Sequence, residues 1–272
     1  MAQIIIITDL DGTLLHPLTY SFEEARSALD LIKERRIPLI LCSSKTRAEI
    51  EVYRKRLENK DPFISENGGG VFIPEGCFTF PIEGTLRNGF RVITLGESYS
   101  GIRNIFREIQ KQTGITARGF GDMDAKEVAC LTGMQLSGAE LAKQRDFDEP
   151  FVFEKWEKRI AEFLDAIEEA GFHWTQGRFY HILGEHDKGK AGKILKEYYE
   201  TAIGGIKMIG LGDSFNDLPL LQNVDYPVLV QKEDCSYDER IRLPHLIRAE
   251  GIGPAGWNRA VIRLIDIINK GS

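Results

Sequence analysis

Ile4-Ile5-Ile6-Ile7-Thr8-Asp9-Leu10-Asp11-Gly12-Thr13 opens the chain with a β-branched run that ends in paired acids. Four consecutive isoleucines read as a strand buried on both faces. Two carboxylates two residues apart, at the C-terminal end of such a strand, repel each other. They need a cation, a shared proton or both. Mg2+ would supply the cation, because it takes oxygen ligands and keeps positions open for a substrate phosphate. Gly12 lets the chain turn sharply, and Thr13 offers a hydroxyl and a backbone N–H to an anion. The plainer alternative is a strand followed by an Asp-rich turn.

Outward from this stretch, strand and helix alternate. Ser21-Phe22-Glu23-Glu24 reads as a capped helix start, with Glu24 as the capping-box acid and the helix running to about Arg36. Residues 37–42 form a second buried strand, followed by a helix from 43–46 to near Glu58. Phe63-Ile64 is a third strand, and Val71 to Phe80 reads as a hairpin turned at Glu75-Gly76. Residues 83–186 have a different texture. They show a strand at 91–95, helical spacing at Ile102, Ile105, Phe106 and Ile109, and helix starts near Asp124 and Leu136. Phe151-Val152-Phe153 is a strand; Trp156, Ile160, Phe163, Leu164 and Ile167 mark one helix face; 172–174 and 179–183 form a closing hairpin. The α/β pattern resumes at Asp187, with a helix at 191–200, strands at 206–211 and 228–230, and a last helix at 257–269. The fold class is therefore α/β: a Rossmann-like parallel-sheet core (1–82 and 187–272) with an inserted smaller α/β domain at 83–186.

The 272 residues suit one core plus a smaller second domain. A net charge of -6 without any basic block argues against nucleic acid as a partner. Cys42, Cys77, Cys130 and Cys235 form no CxxC pair, which argues against a zinc site or a disulfide framework and suits a reducing cytoplasm. No signal peptide precedes Ile4 and no apolar run is long enough to span a membrane. Oligomeric state is not legible.

In an open parallel sheet, ligands sit beyond the carboxyl ends of the strands. Asp9, Asp11, Ser43, Lys188 and Asp213 all fall just past strand ends or at the helix start feeding the sheet. In order along the chain stand D-x-D-G-T at 9–13, a strand-terminal serine at Ser43, a lysine at Lys188, and G-D-x-x-N-D at 212–217. This series resembles the haloacid dehalogenase superfamily of phosphotransferases, and the insertion between the second and third motifs resembles the α/β cap of its sugar-phosphate branch. The resemblance implies a role for each residue. Asp9 is the nucleophile, forming an aspartyl-phosphate. Asp11 is the acid and base for leaving group and water, holding its proton with help from a neighbouring carboxylate and partial burial. Mg2+ is held by Asp9, Asp213 and the main-chain carbonyl of Asp11. Ser43 and Lys188 bind the phosphoryl group. Thr13, Asn216 and Asp217 support them from behind, Asp217 orienting Lys188 or a metal-bound water. Plainer alternatives stand beside these: Ser43 as a helix N-cap, Lys188 as a solvated helix-start lysine, Asp213 and Asp217 as turn residues.

Many relatives in that branch carry T-G-R after the second strand. Here Ser43-Ser44-Lys45-Thr46-Arg47 lacks the glycine and has Lys45 for the arginine. The departure is similar to the mannosyl-3-phosphoglycerate phosphatase subfamily, as are 66–70 (ENGGG), 119–122 (GFGD), 145–149 (RDFDE), 177–181 (GRFYH), 187–190 (DKGK) and 253–257 (GPAGW). The resemblance implies hydrolysis of 2-O-(α-mannosyl)-3-phosphoglycerate to mannosylglycerate and phosphate, with a phosphorylated glycoside as the partner. The substrate carboxylate calls for fixed donors, for which Lys45, Arg145, Arg178 and His181 are candidates. Glu66 and Asn67 are candidates for sugar hydroxyls or an anion. The alternatives are an Arg145 pair with Asp148 or Glu149, a packed His181, and a tight turn at 66–70. Phe120, Trp174, Phe179 and Tyr180 read as cap core. Rival functions are a glucosyl-3-phosphoglycerate or other sugar-phosphate phosphatase, a phosphohexomutase, and a non-enzymatic sugar-phosphate-binding module. The last is opposed by the presence of Asp9, Asp11, Lys188 and Asp213.

Overall fold

A computed structural model describes residues 3–270. The chain runs β1 (Gln3–Thr8), α1 (Arg26–Arg35), β2 (Leu39–Cys42), α2 (Arg47–Arg56), β3 (Phe63–Ser65), β4 (Gly70–Pro74), β5 (Thr85–Arg87), β6 (Phe90–Thr94), α3 (Tyr99–Thr113) and β7 (Ala117–Gly119). It continues through α4 (Ala125–Thr132), α5 (Leu136–Ala142), β8 (Asp148–Phe153), α6 (Ile160–Glu169), β9 (His173–Gln176) and β10 (Tyr180–Leu183). It closes with α7 (Lys188–Ile203), β11 (Ile206–Gly212), α8 (Leu218–Leu221), β12 (Tyr226–Gln231), β13 (Ile247–Ile252) and α9 (Gly253–Lys270).

Nine strands form one sheet in the order β13-β12-β11-β1-β2-β3-β4-β6-β5. From β13 to β3 all neighbours are parallel, and β4, β6 and β5 add an antiparallel edge. The isoleucines of β1 are central because both faces are covered. Ile4 and Ile6 pack under α1 and α9; Ile5 and Ile7 pack under α7. Each such side chain contributes roughly 1.5–3 kcal/mol on burial. The chain leaves β1 toward β2 on one side and returns to its other side as β11, so the strand order reverses between β1 and β11. A ligand crevice belongs beyond the carboxyl ends of those two strands, where Asp9 and Asp213 stand.

The second sheet, β7-β8-β10-β9, is antiparallel. One face packs on α3 and α6 through Phe106, Phe151, Phe163 and Ile182; α4 and α5 form a separate cluster with Phe120, Val128 and Phe179. Among the described residues no helix is long and apolar enough to cross a membrane.

Several local expectations change. Residues 85–94 were read as part of the insertion, but β5 and β6 pair in the large sheet. The hairpin partner of β4 is β6 rather than residues 77–80. Ser21 accepts the Glu23 N–H at 3.2 Å, yet no capping box forms; a 3-10 turn at Glu23–Ala25 leads into α1 instead. Trp156 lies outside α6 and is 76% exposed. β13 and β7 were not foreseen.

Candidate active site

Backbone geometry assembles the acids. The Asp9 N–H bonds the Leu211 carbonyl at 2.9 Å, tying β1 to β11 at the crevice. Thr8 holds the other side of the strand end, its hydroxyl accepting from Trp257 Nε1 at 2.9 Å. Gly12 has φ +77°, and a Cβ there would sit 2.9 Å from Oδ2 of Asp213. Glycine is needed both for the turn and for the approach of the second acidic loop. Thr13 Oγ1 donates to Asp213 Oδ1 at 3.0 Å and Ser214 Oγ to Oδ2 at 2.7 Å, which sets the rotation of that carboxylate.

Lys188 is fully buried at the first position of α7, where the helix dipole disfavours a cation. Its Nζ donates to Asp9 Oδ1 and Asp217 Oδ1, both at 2.6 Å. Burial alone would lower the pKa of this ammonium, but Asp217 and Asp9 overcome that and hold it above its ordinary value. It is not the solvated helix-start lysine of the plainer reading. Burial pushes the Asp9 carboxyl well up; Lys188 opposes this, and Asp217 and Asp213 add to it. Burial, joined by Asp217, pushes Asp213 up to about 7.

Asp9, Asp213 and Asp217 each offer an oxygen within 4.8 Å of the others. Three carboxylates face one lysine, so the cluster lacks positive charge. Its all-oxygen donor set suits a hard divalent cation. Asp217 is otherwise engaged: Oδ1 takes Lys188, and Oδ2 takes the N–H groups of Asp213 and Ser214 at 3.0 and 3.1 Å. Asp9 and Asp213 therefore fit as direct ligands, with Asp217 fixing Lys188 and the loop. Oδ1 of Asp11 is buried without a protein hydrogen bond.

A cleft of about 350 Å³ runs over this cluster, lined from below by Asp9, Asp11 and Asp213 and from the second sheet's side by Thr132, Arg178 and His181. The expected substrate residues divide there. Lys45 is 3% exposed and pairs with Asp11 Oδ2 at 2.8 Å, so the group beside Asp11 is an ammonium rather than a second carboxylate. Arg145 does not line the cleft. Its guanidinium is buried against Asp148, with Nε 3.4 Å from Glu66 and Nη2 2.8 Å from the Ser44 carbonyl. Glu66 is wholly buried, its carboxylate accepting the N–H groups of Asp146, Phe147 and Asp148. Burial pushes Glu66 up to about 8 against the pull of Arg145. Asn67 bridges Asp148 at 2.8 Å and Asn216 at 3.1 Å. Glu66, Asn67 and Arg145 thus tie the two sheets together rather than face a substrate. The reason is contact: the 146–148 N–H groups close on Glu66 while Phe147 packs against Gly69 and Gly70.

Ser43 is fully buried, and its Oγ accepts the Lys45 N–H at 3.3 Å. The N-cap of α2 is Thr46, in a capping box with Glu49. It is Ser44 that lines the cleft. Arg178 turns onto the C-terminal carbonyls of α4, Thr132 at 2.9 Å and Leu131 at 3.3 Å, and onto the Tyr20 hydroxyl at 3.1 Å. Tyr20 was missed by the sequence reading. Its hydroxyl donates to the Thr132 carbonyl at 2.9 Å, and its ring lies 5.2 Å from the Lys45 ammonium. No local signal marks it.

The model of the haloacid dehalogenase-like hydrolases matches residues 6–77, which span the first acidic motif and the Ser43 turn. A Methanococcoides burtonii protein named glucosyl-3-phosphoglycerate/mannosyl-3-phosphoglycerate phosphatase is 50% identical over 268 residues, 98% of either chain. The chain belongs to the haloacid dehalogenase-like hydrolase family. Within that family it is similar to a Pyrococcus horikoshii mannosyl-3-phosphoglycerate phosphatase, 37% identical over 83% of this chain and 90% of that one. A solved Thermoplasma acidophilum structure shares the fold, with TM-score 0.69, 16% identity and coverage of 97% and 99%. As a haloacid dehalogenase-like hydrolase with phosphatases for relatives, the protein is a phosphoric monoester hydrolase.

Proposed function

We propose that this enzyme removes the phosphate from both glucosyl- and mannosyl-3-phosphoglycerate, releasing the glycosylglycerate. The observation that carries the substrate is the relation to the M. burtonii protein along nearly the whole of both chains, second sheet included. The two substrates in that protein's name are the mannosyl substrate of the sequence reading and its glucosyl alternative. In this reading Asp9 attacks phosphorus while Asp11 gives a proton to the departing alkoxide oxygen. Asp11 then takes a proton from the water that opens the aspartyl-phosphate. Lys188 balances the phosphoryl charge, and Ser43 holds the turn beneath it by accepting the Lys45 N–H. Mg2+, held by Asp9, Asp213 and the Asp11 main-chain carbonyl, would supply charge neutralisation at the phosphoryl oxygens.

The catalytic core comprises residues up to 96 and from 185 onward, and the cap comprises 97–184; the first boundary moves from 83 because β5 and β6 belong to the large sheet. The scattered cysteines go with a cytoplasmic enzyme. The test is phosphate release from the two glycosyl-3-phosphoglycerates, 3-phosphoglycerate and a set of hexose phosphates, with Mg2+ and with EDTA. The glycosyl-3-phosphoglycerates should give the highest kcat/KM. A higher value on a hexose phosphate overturns the substrate, and undiminished turnover in verified metal-free protein overturns the cofactor.

A further inference from the structure

Four side chains were candidates for the substrate's carboxylate, and three of them are held by other partners. Lys45 is held by Asp11 and Glu49. Arg145 is sealed between Asp148 and Glu66. Arg178 borders the cleft, but its guanidinium is held against the Thr132 and Leu131 carbonyls at the end of α4. His181 remains. In β10 the side chains alternate: Ile182 enters the cluster under α3 and α6, and Tyr180 packs against it, so His181 points to the opposite face. Among the described residues it is the one strand residue of the second sheet that lines the cleft over Asp9 and Asp11.

The ring's orientation is determined by what lies behind it. Nδ1 is 2.9 Å from Oδ2 of Asp148. Asp148 is wholly buried; burial would raise its pKa, but Arg145 and His181 hold it below the usual carboxylate range. As a carboxylate it only accepts, taking Arg145 on Oδ1 and Asn67 at 2.8 Å on Oδ2. The proton between Asp148 and His181 therefore sits on Nδ1. Among the described residues Nε2 has no hydrogen-bond partner, yet it is not among the buried atoms left unsatisfied. It opens into the cleft. A carboxylate fixing one imidazole nitrogen leaves the other aimed and ready to bond.

We propose that His181, oriented by Asp148, binds the carboxylate of the substrate's glycerate moiety through Nε2, the ring taking up a proton from water at Nε2 as the carboxylate docks and donating to Asp148 through Nδ1. This rests on the phosphoglycerate reading above. Asp148 is a positioning residue and does not touch the substrate. The arrangement gives the cap a charge-sensing side chain mounted on a strand rather than on a loop, so its reach is set by the sheet.

The test compares kcat/KM on glucosyl-3-phosphoglycerate with that on p-nitrophenyl phosphate, which has no carboxylate. His181→Ala should lower this ratio at least tenfold, with the loss in KM. It should also abolish the advantage of glucosylglycerate over its methyl ester as a product inhibitor. His181→Gln, which keeps a donor but no charge, should fall between. Asp148→Asn, checked for folding by circular dichroism, should lower the ratio too and remove the single Nδ1–H tautomer from imidazole 15N spectra. If Asp148→Asn does not fold, the two His181 variants decide alone. An unchanged ratio in His181→Ala, or equal losses on both substrates, overturns the proposal. A parent enzyme without preference for glycosyl phosphoglycerates overturns the substrate reading and this inference with it. A parent that has the preference, with a His181→Ala that keeps it, overturns only the inference.

Discussion

The ammonium of Lys45 lies 2.8 Å from Oδ2 of Asp11, joining a side chain 3% exposed to one 36% exposed. The lysine is sealed on the core side by Glu49 at 3.5 Å and by the rings of Tyr20 and Tyr53 at 5.2 and 5.7 Å, while the aspartate faces the cleft. Burial would lower the pKa of Lys45, but Asp11 and Glu49 hold it above its ordinary value, so it stays a cation. Lys45 thus fixes the direction of Asp11 and is not free to meet the substrate.

Lys45→Met should act on proton transfer to the leaving group. Turnover of a glycosyl-3-phosphoglycerate, whose alkoxide must be protonated, should fall about 10- to 100-fold in kcat. p-Nitrophenyl phosphate, with a good leaving group, should lose much less. Steady-state kinetics on both substrates decides it; equal losses would move Lys45 to phosphate binding.

Asp9→Asn should leave a folded protein with activity reduced by about a thousandfold or more, because an amide cannot form the acyl phosphate. Asp11→Asn should instead let covalent phosphate accumulate with p-nitrophenyl phosphate, since its main loss falls on the water step. Rapid quench with intact-mass detection of the phosphorylated chain separates the two variants. Parent-level turnover of a glycosyl-3-phosphoglycerate by Asp11→Asn would exclude its acid–base role.

Metal binding should show in stability as well as in rate. Asp213 binds its proton more tightly folded than unfolded, so the metal-free protein loses stability as pH rises from about 4 toward about 7. Glu66, pushed up to about 8, acts in the same direction. Mg2+ should raise the Tm, and more so near pH 7 than near pH 5, because it favours the ionised carboxylates. Asp213→Asn should flatten both the pH slope and the Mg2+ effect in thermal melts. An unaltered Mg2+ shift in that variant would remove Asp213 from the metal site.

Arg145→Ala should be a stability mutant. It strands Asp148 and Glu66, both fully buried, at a cost of about 3–5 kcal/mol. Arg178→Ala, at an exposed position in the turn between β9 and β10 that reaches the end of α4, should cost about 1 kcal/mol or less. Urea denaturation of the two variants checks the contrast. Equal effects would contradict the assignment of Arg145 to the bridge between the sheets.

Local chemistry made the catalytic core readable. A buried strand, a glycine turn and the acids after it lie within ten residues, so Asp9, Asp11 and Gly12 announce themselves, as does the run from Gly212 to Asp217. The same holds for α4, whose capping box at Asp124 and Glu127 stands three residues apart. The misread positions are those whose partners are remote in sequence. The Arg145–Asp148 pair, three residues apart, was among the alternatives, but spacing could not show that Asp148 would be buried with Asn67, 81 residues away, nor that Lys45 would pair with Asp11. β5, exposed at all three residues, lacks the apolar alternation that marks a strand, and β13, an edge strand, alternates only weakly around Ala249; both are defined by their hydrogen-bonded neighbours. Sequence alone placed the acids of the candidate site at the strand ends, because covalent spacing along a strand and its turn sets them. Tertiary structure decided which charges are spent on holding the two sheets together and that His181 is the strand residue of the second sheet lining the cleft. Pairing between distant charges is settled only when burial strips their water and makes each find a partner.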